Sequence, residues 1–283
     1  MSNLNKVDFA VVFTVKNANP NGDPLVEGRP RQTMTGLGEV TDVCLKRKIR
    51  NRFDDFEESI FVKQLDRIEG PANSLKDILK QEEEIYSLFK NKEQTAFLEK
   101  ACQKWLDVRT FGQVFAFKGE KQAMNCKGVV SIQSAYSLDE IIIEDKQIAK
   151  NINSIAGKHE NSKVSDTMGW YYSVPFGVYV FYGSVSPLNA AKNNYTPEDL
   201  EHLKEALVSL FENDASVSRP AGSMEVKNVY WWEHSKKNGN ASSAKVHQSL
   251  IIDKKTDFPT SYEDYTFEVK EMNGIHCEIL EGF

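Results

Sequence analysis

The longest uninterrupted apolar stretches of the chain predict buried strands. Residues 9–15 have the sequence FAVVFTV and residues 178–185 have the sequence VYVFYGSV, and both stretches are rich in β-branched and aromatic side chains. Continuous apolar runs of this length are typical of strands that are covered on both faces. Shorter runs predict further strands over residues 111–117, 128–135 and 225–232.

Apolar residues spaced three and four apart predict helices in three other regions. One helix is predicted to begin after Thr41, whose hydroxyl suits an N-cap. The apolar stripe of this helix is formed by Leu45, Ile49, Phe53 and Phe56. The spacing also predicts helix over residues 75–106 and over 195–212, the latter with Thr196 as a cap and proline at the first helical position.

The order of these elements indicates an α+β fold. It is strand, helix, strands, insertion, strand, helix, strand, which suits a split βαβ, ferredoxin-like core that carries insertions. Residues 145–168 are polar and lack a clear period, so we predict a protruding insertion there. The length of 283 residues allows one large domain or a domain with another inserted into it.

Charge and cysteine content narrow the possible functions. The 35 basic and 41 acidic residues give a net charge of −6, which argues mildly against nucleic-acid binding unless the cations are locally concentrated. The four cysteines form no CxxC pair, so neither a zinc site nor a disulfide framework is expected. No membrane span and no signal-peptide pattern is found, and a reducing cytoplasm is the expected location.

The densest basic segment of the chain is residues 46–52, with the sequence KRKIRNR. Cations along one helix face can contact the phosphates of a nucleic acid, and Arg29 and Arg31 lie shortly upstream. The alternative is an ordinary solvent-exposed helix face. Composition alone leaves both interpretations open.

The loop after the first predicted strand is the second candidate. Asn19, Asn21 and Gly22 could present backbone amides to a phosphate, since glycine permits close backbone approach. Asp23 could act as an acid or bind a metal, but it has no obvious basic or metal-ligating partner in the sequence. An ordinary turn is the alternative for the whole loop.

Two further segments combine arginine with glycine. Residues 107–117 hold Gly112 in an aromatic setting that could suit single-stranded RNA or simply be buried strand, and residues 216–223 place Arg219 in a loop of small residues. The five histidines have no catalytic spacing, and no common hydrolase, nucleotide-binding or metalloprotease motif is present.

Four segments in this order resemble a known family. They are FAVVFTVKNANPNGDP, VTDVCLKRKIRN, DVRTFGQVFAF and TMGWYYSVPFGVYVFYGSVSP. Together they are similar to the Cas-seven backbone subunits of type I-C Cascade complexes, the Csd-two branch. The resemblance covers most of the chain, and its most specific parts are the GDP loop and the TDVCLKRKIRN helix.

The resemblance implies a fold of one domain over residues 1–283. An RRM-like palm would comprise about 7–57, 107–147 and 174–283. A helical insertion, likened to fingers, would occupy about 58–106, and a β-hairpin or loop insertion, the thumb, about 148–173.

The resemblance also implies a function. Several copies line up along one CRISPR RNA in a helical filament, without catalysis or a cofactor, and the guide then pairs with target DNA. Expected partners are CRISPR RNA, target DNA through the guide, other copies of the chain, and the Cas-five, large and small subunits of Cascade. Type III relatives cleave RNA with an aspartate in the loop after the first strand, so an Asp23-dependent ribonuclease is one alternative. A protein-only scaffold whose basic helix is merely solvated is the other.

Residues are carried over by position in this sequence. The first-helix contacts to the RNA backbone would come from Thr41, Lys46, Arg47 and Arg50. The thumb would contribute Lys163 and, as an apolar wedge, Met168. The complete predicted RNA-binding set is Asn19, Asn21, Gly22, Arg29, Arg31, Thr41, Lys46, Arg47, Arg50, Gly112, Lys163, Met168 and Arg219.

Overall fold

The computed structural model describes residues 4–68, 70–149 and 168–283. The strands in these ranges are, in chain order, β1 Val7–Ala18, β2 Gly22–Asp23, β3 Arg29–Pro30, β4 Leu37–Val40, β5 Gly112–Ala116, β6 Ala123–Lys127, β7 Val130–Ile132, β8 Ala135–Glu140, β9 Glu144–Ala149, β10 Met168–Val185, β11 Met224–His234, β12 Leu250–Lys254, β13 Tyr265–Val269 and β14 Ile275–Glu281. The α-helices are α1 Asp42–Asp55, α2 Leu75–Gln81, α3 Glu83–Asn91, α4 Gln94–Lys104, α5 Leu106–Phe111, α6 Pro187–Asn193, α7 Pro197–Val208 and α8 Ser243–His247. Short 3-10 helices occupy Pro24–Val26, Leu65–Arg67 and Tyr262–Asp264.

A central antiparallel sheet organises the fold. Its strand order is β14-β11-β1-β10-β8-β4, and β7 and β9 also pair with β10. β1 lies in the middle, paired with β10 from Val7↔Val185 onward and with β11 from Val7↔Glu233 onward. Its continuous apolar run is explained by this position, because both faces of the strand are covered.

The two faces of β1 belong to different cores. Phe9, Val11 and Phe13 pack with α1 and α7, whose apolar stripes lie on that face of the sheet. Ala10 and Val12 face the other way, into a second core formed with Tyr230, Trp232, Val246, Leu250 and Tyr265. Helix α8 and the β12–β13 hairpin therefore cover the second face. The α+β class with a central sheet and several helices is confirmed.

The helical insertion has a core of its own. Its buried aromatics are Phe61, Phe89, Phe97, Trp105 and Phe115. The helical prediction over 75–106 is correct in type, but the chain divides there into α2, α3 and α4, with Lys92 in the left-handed region at φ 63°. Phe115 is fully buried, which confirms the buried-strand interpretation of that aromatic. None of the helices in the described ranges is long and apolar enough to cross a membrane.

The polar segment beginning at residue 145 is partly regular, contrary to the sequence prediction. β9 pairs with the first residues of β10, from Met168↔Ala149 to Ser173↔Glu144, so β10 starts ten residues before the predicted strand. The sequence did not predict this longer strand, because it contains Pro175 and proline disfavours strand interiors. The structure accommodates it opposite Asn17, whose φ of 51° interrupts the ladder between β1 and β10.

Candidate nucleic-acid interface

Two asparagines fasten the loop after β1 to distant segments. The Asn21 carboxamide oxygen accepts hydrogen bonds from the backbone N–H and the hydroxyl of Thr41, each at 3.0 Å. Asn19 donates its backbone N–H to the Ser218 carbonyl at 2.8 Å and its side-chain amide to the Gly28 carbonyl at 2.7 Å. The loop, the start of α1 and the segment around Ser218 therefore form one surface.

Gly22 is required by the chain's own packing. A Cβ atom at this position would lie 2.8 Å from the carbonyl oxygen of Gly28, across the short β2–β3 pairing. The close backbone approach that the glycine permits is thus to its own hairpin, and it brings the loop's remaining groups into a fixed arrangement.

Asp23 has a basic partner, so the expectation that it lacks one is wrong. Its carboxylate accepts the Leu25 backbone N–H at 3.0 Å and lies 3.4 Å from the Arg31 guanidinium. The β2–β3 hairpin brings Arg31 alongside, which sequence distance did not reveal. Within residues 4–68, 70–149 and 168–283 no three His, Cys, Asp or Glu side chains converge as metal ligands.

Arg29 fastens the other end of the loop to the β9–β10 hairpin. Its two terminal nitrogens each lie 3.0 Å from an oxygen of Asp145, and the guanidinium stacks 4.8 Å from the ring centre of Tyr172. The Tyr172 hydroxyl donates to the Glu27 carboxylate at 3.2 Å. The base of the hairpin thereby adjoins the loop.

Thr41 caps α1 as predicted, but the helix cations do not form a single row. Lys46 lies 2.8 Å from Asp42 at the start of the helix. Arg50 turns inward: its side chain is 14% exposed, its Nε donates to Asp107 at 3.0 Å, and it stacks over Phe111. Arg50 therefore joins α1 to α5 in this structure.

Arg47 lies about 100° further round the helix than Lys46 and contacts another segment of the chain. It meets a cluster that sequence analysis missed. Asp214 lies 3.5 Å from Arg47, 3.1 Å from Arg219 Nε, and in contact with Lys48. Lys48 is fully buried beside the ring of Phe211. Because Asp214 is 166 positions from Lys48, no local signal could have connected them.

The buried charges in this cluster perturb each other. Burial alone would raise the pKa of the Asp214 carboxyl, but Lys48, Arg219 and Arg47 together lower it. Burial lowers the pKa of Lys48, which Asp214 opposes and the charge of Arg219 reinforces. The carboxylate gains from three cations while the ammonium gains from one anion, so we expect Asp214 to remain ionised at neutral pH.

We call the region so formed the loop surface: residues 19–31, the first two turns of α1, and residues 214–219. It holds six cations and, with Asp145 of the adjoining β9 strand, five carboxylates, an excess of one positive charge on an acidic chain. The cations are Arg29, Arg31, Lys46, Arg47, Lys48 and Arg219. The carboxylates are Asp23, Asp42, Asp145 and Asp214, which pair with these cations, and Glu27, which accepts from Tyr172.

A family model described as CRISPR-associated protein Cas7 matches residues 5–270. This chain belongs to the Cas7 family. A relative from Haloferax volcanii, the CRISPR-associated protein Cas7, is 28% identical over 222 residues, which cover 72% of this chain and 63% of the relative. The chain thus spans less than two thirds of that relative's length.

Solved structures are also similar to this Cas7-family chain. A chain from a CRISPR RNA-guided surveillance complex, pre-nicking, has a TM-score of 0.49 and 12% identity, with 86% of both chains covered. A chain from another CRISPR RNA-guided surveillance complex has a TM-score of 0.43 and 15% identity, covering 80% of this chain and 68% of that one.

Besides Arg50, two predicted residues of the Cas7-family chain, Gly112 and Met168, lie away from the loop surface. Gly112, at φ 77°, abuts Cys126 and Gly128, where a Cβ atom would come within 2.5 Å of the backbone, so it serves the junction of the insertion with the sheet. Met168 begins β10, where its backbone pairs with Ala149. Lys163 lies outside the described residues.

Proposed function

We propose that this Cas7-family chain is a non-catalytic CRISPR RNA-binding backbone subunit of a type I-C Cascade complex in the cytoplasm. Copies of it would line one guide RNA beside the Cas-five, large and small subunits, and target DNA would be reached through the guide. Membership of the family and the four sequence segments that resemble the type I-C branch support this assignment.

The observation that carries the proposal is the convergence at the loop surface. Residues 19–31, the start of α1 and the distant residues 214–219 bring their cations to one side of the molecule. Such groups suit phosphates and sugars, and a guide complex needs contacts of this kind because base pairing supplies its sequence specificity.

The strand arrangement supports an RRM-like palm, but other segments of the chain cover the sheet face on which RRM domains usually bind RNA. The strands β11-β1-β10-β8 are adjacent and antiparallel, with α1 following β1 and α7 following β10. RRM domains stack RNA bases on the open face of such a sheet. Here α8 and the β12–β13 hairpin cover that face. RNA would therefore bind at the loops beyond the strand ends.

The β9–β10 hairpin would form the root of the thumb. Its two strands extend past the central sheet, and Arg29 and Tyr172 tie its base to the loop surface. We infer that the thumb, residues 148–173, begins next to the RNA. Residues 150–167 lie outside the described ranges.

The salt dependence of RNA affinity, compared between two variants, tests RNA binding at the loop surface. The variant Lys46→Ala/Arg47→Ala removes two partly exposed cations, and Lys80→Ala/Lys100→Ala removes two ion-paired cations from the insertion helices as a matched control. Fluorescence anisotropy with labelled single-stranded RNA, over a salt series, gives the log–log slope. We expect the slope to fall by about 1.4 in the first variant, at about 0.7 per phosphate contact, and to stay unchanged in the control.

An equal slope in both variants, or no RNA binding by the wild type, would contradict the proposal. The same protein incubated with labelled RNA and Mg²⁺ should give no cleavage products, since the Asp23 carboxylate is held by Arg31 and the Leu25 amide. Cleavage that disappears in Asp23→Ala would favour the ribonuclease instead.

A further inference from the structure

Four side chains at the loop surface form one charge cluster with unequal access to solvent. The Lys48 side chain is 0% exposed and Asp214 is 9% exposed, whereas Arg47 and Arg219 are 30% and 23% exposed. Only the two arginines can therefore contact a ligand. Lys48 cannot, although it lies in the most basic segment of the chain.

The charges divide into an internal pair and an external pair. Lys48 and Asp214 neutralise each other inside the protein. The same carboxylate also meets Arg219 through Nε at 3.1 Å and Arg47 through Nη2 at 3.5 Å. If Lys48 were absent, the carboxylate would cancel one arginine. With Lys48 present, both guanidinium charges remain available to an anion.

We propose that Asp214 is a positioning residue for RNA binding, which holds Arg47 and Arg219 side by side while Lys48 offsets its negative charge. This inference rests on the proposed function of the loop surface, and it adds two residues, Lys48 and Asp214, that act through the arginines and do not touch RNA.

Among the described residues, the geometry leaves the required donors free. Arg219 uses Nε on Asp214, so its two terminal amino groups, which match a phosphate in a bidentate way, remain. The loop carrying Arg219 is itself fixed by reciprocal backbone hydrogen bonds with Ser216 at 2.8 and 3.0 Å, and by the bond from Asn19 to Ser218. Guanidinium groups that are ordered in advance lose less entropy when RNA binds.

A variant with unchanged net charge separates positioning from simple electrostatics. Lys48→Met/Asp214→Leu replaces the internal pair by apolar side chains, a change that buried pairs often tolerate. If only net charge matters, RNA affinity stays at the wild-type value. If Asp214 positions the arginines, we expect roughly threefold to tenfold weaker binding, since charge-assisted hydrogen bonds are lost. We also expect a salt slope lowered by up to about 1.4.

For the single variant Asp214→Ala, the two mechanisms predict changes of opposite sign in RNA affinity. Removing a negative charge beside a polyanion should tighten binding by simple electrostatics, whereas loss of positioning should weaken it. Fluorescence anisotropy with labelled single-stranded RNA measures both variants, and thermal melting confirms that each is folded. Wild-type affinity in the double variant, or tighter binding in Asp214→Ala, would overturn the inference.

A measurement on the unmodified protein covers the case in which the variants do not fold. In free wild-type protein, the Arg219 Nε–H should exchange slowly with solvent by NMR, because Asp214 holds it before RNA arrives. Fast exchange would refute positioning. Absence of RNA binding by the wild type would instead refute the proposed function, which makes the two failures distinguishable.

Discussion

Replacing Arg50 should damage folding more than RNA binding. Arg50 was carried over as an RNA contact, but its guanidinium lies on Asp107, a fully buried carboxylate. Asp107 also accepts the backbone N–H groups of Phe61 and Val62 at 2.8 and 3.1 Å. Arg50, Asp107 and these two amides together connect α1 with the start of the helical insertion.

The expected loss of folding stability in Arg50→Ala follows from the burial of the Arg50–Asp107 pair. Removing one partner of a buried ion pair costs about 3–5 kcal/mol, because the other charge is left without compensation. Asp107 keeps two amide donors in Arg50→Ala, so we expect the lower end, about 3 kcal/mol. The control Lys46→Ala breaks an exposed pair four residues apart on α1, which is worth about 0.5 kcal/mol.

Urea denaturation of both variants gives the free energies of unfolding, and anisotropy of the folded proteins gives RNA affinity. Arg50→Ala should unfold at a much lower urea concentration than Lys46→Ala, while RNA affinity per folded molecule falls by less than in Arg47→Ala. The reasoning is refuted if Arg50→Ala keeps wild-type stability and loses RNA binding.

Two further predictions concern an exposed aromatic and a buried carboxylate. Trp170 is 56% exposed on the arm of the β9–β10 hairpin, so Trp170→Ala should weaken RNA binding by about 1–3 kcal/mol if a base stacks on it, measured by anisotropy. Burial alone would raise the pKa of Asp8, but hydrogen bonds from Ser243 and His234 and the charge of Lys6 lower it. A lowered pKa stabilises the fold above the unfolded value of about 3.9 and loses that stabilisation as pH falls through the folded value. Urea midpoints should therefore drop more steeply between pH 7 and pH 3 in the wild type than in Asp8→Asn.

Elements with strong local signals were predictable from the sequence. The strand β1 followed from a continuous apolar run, and α7 followed from a cap, a proline and acidic residues in order. In the structure Thr196 and Asp199 form a reciprocal capping box at the start of α7. Thr41 likewise caps α1, accepting the Cys44 N–H at 3.3 Å. Each signal lies within a few residues of the feature that it specifies.

Only part of the candidate site could be predicted from the sequence in the same way. Residue type singled out Asn19, Asn21, Arg47 and Arg219, which the structure brings to one surface, and their contact with RNA stays a prediction. Which cations are free was not predictable, since the partner carboxylates are distant in sequence. Asp107 lies 57 positions from Arg50. A helical projection distinguishes faces, but it cannot tell which face another segment covers.

If the chain binds RNA as proposed, the pairing of cations and carboxylates explains how an acidic protein does so. Four of the carboxylates hold arginines and lysines in place, and six cations against five carboxylates leave a local excess of one positive charge on a chain whose net charge is −6. Such a surface attracts stray polyanions weakly when the subunit is free. In the proposed function, affinity for RNA would depend on several oriented contacts being made together, which repeated copies along one guide would supply. Composition alone pointed away from nucleic acid because it averages over this arrangement.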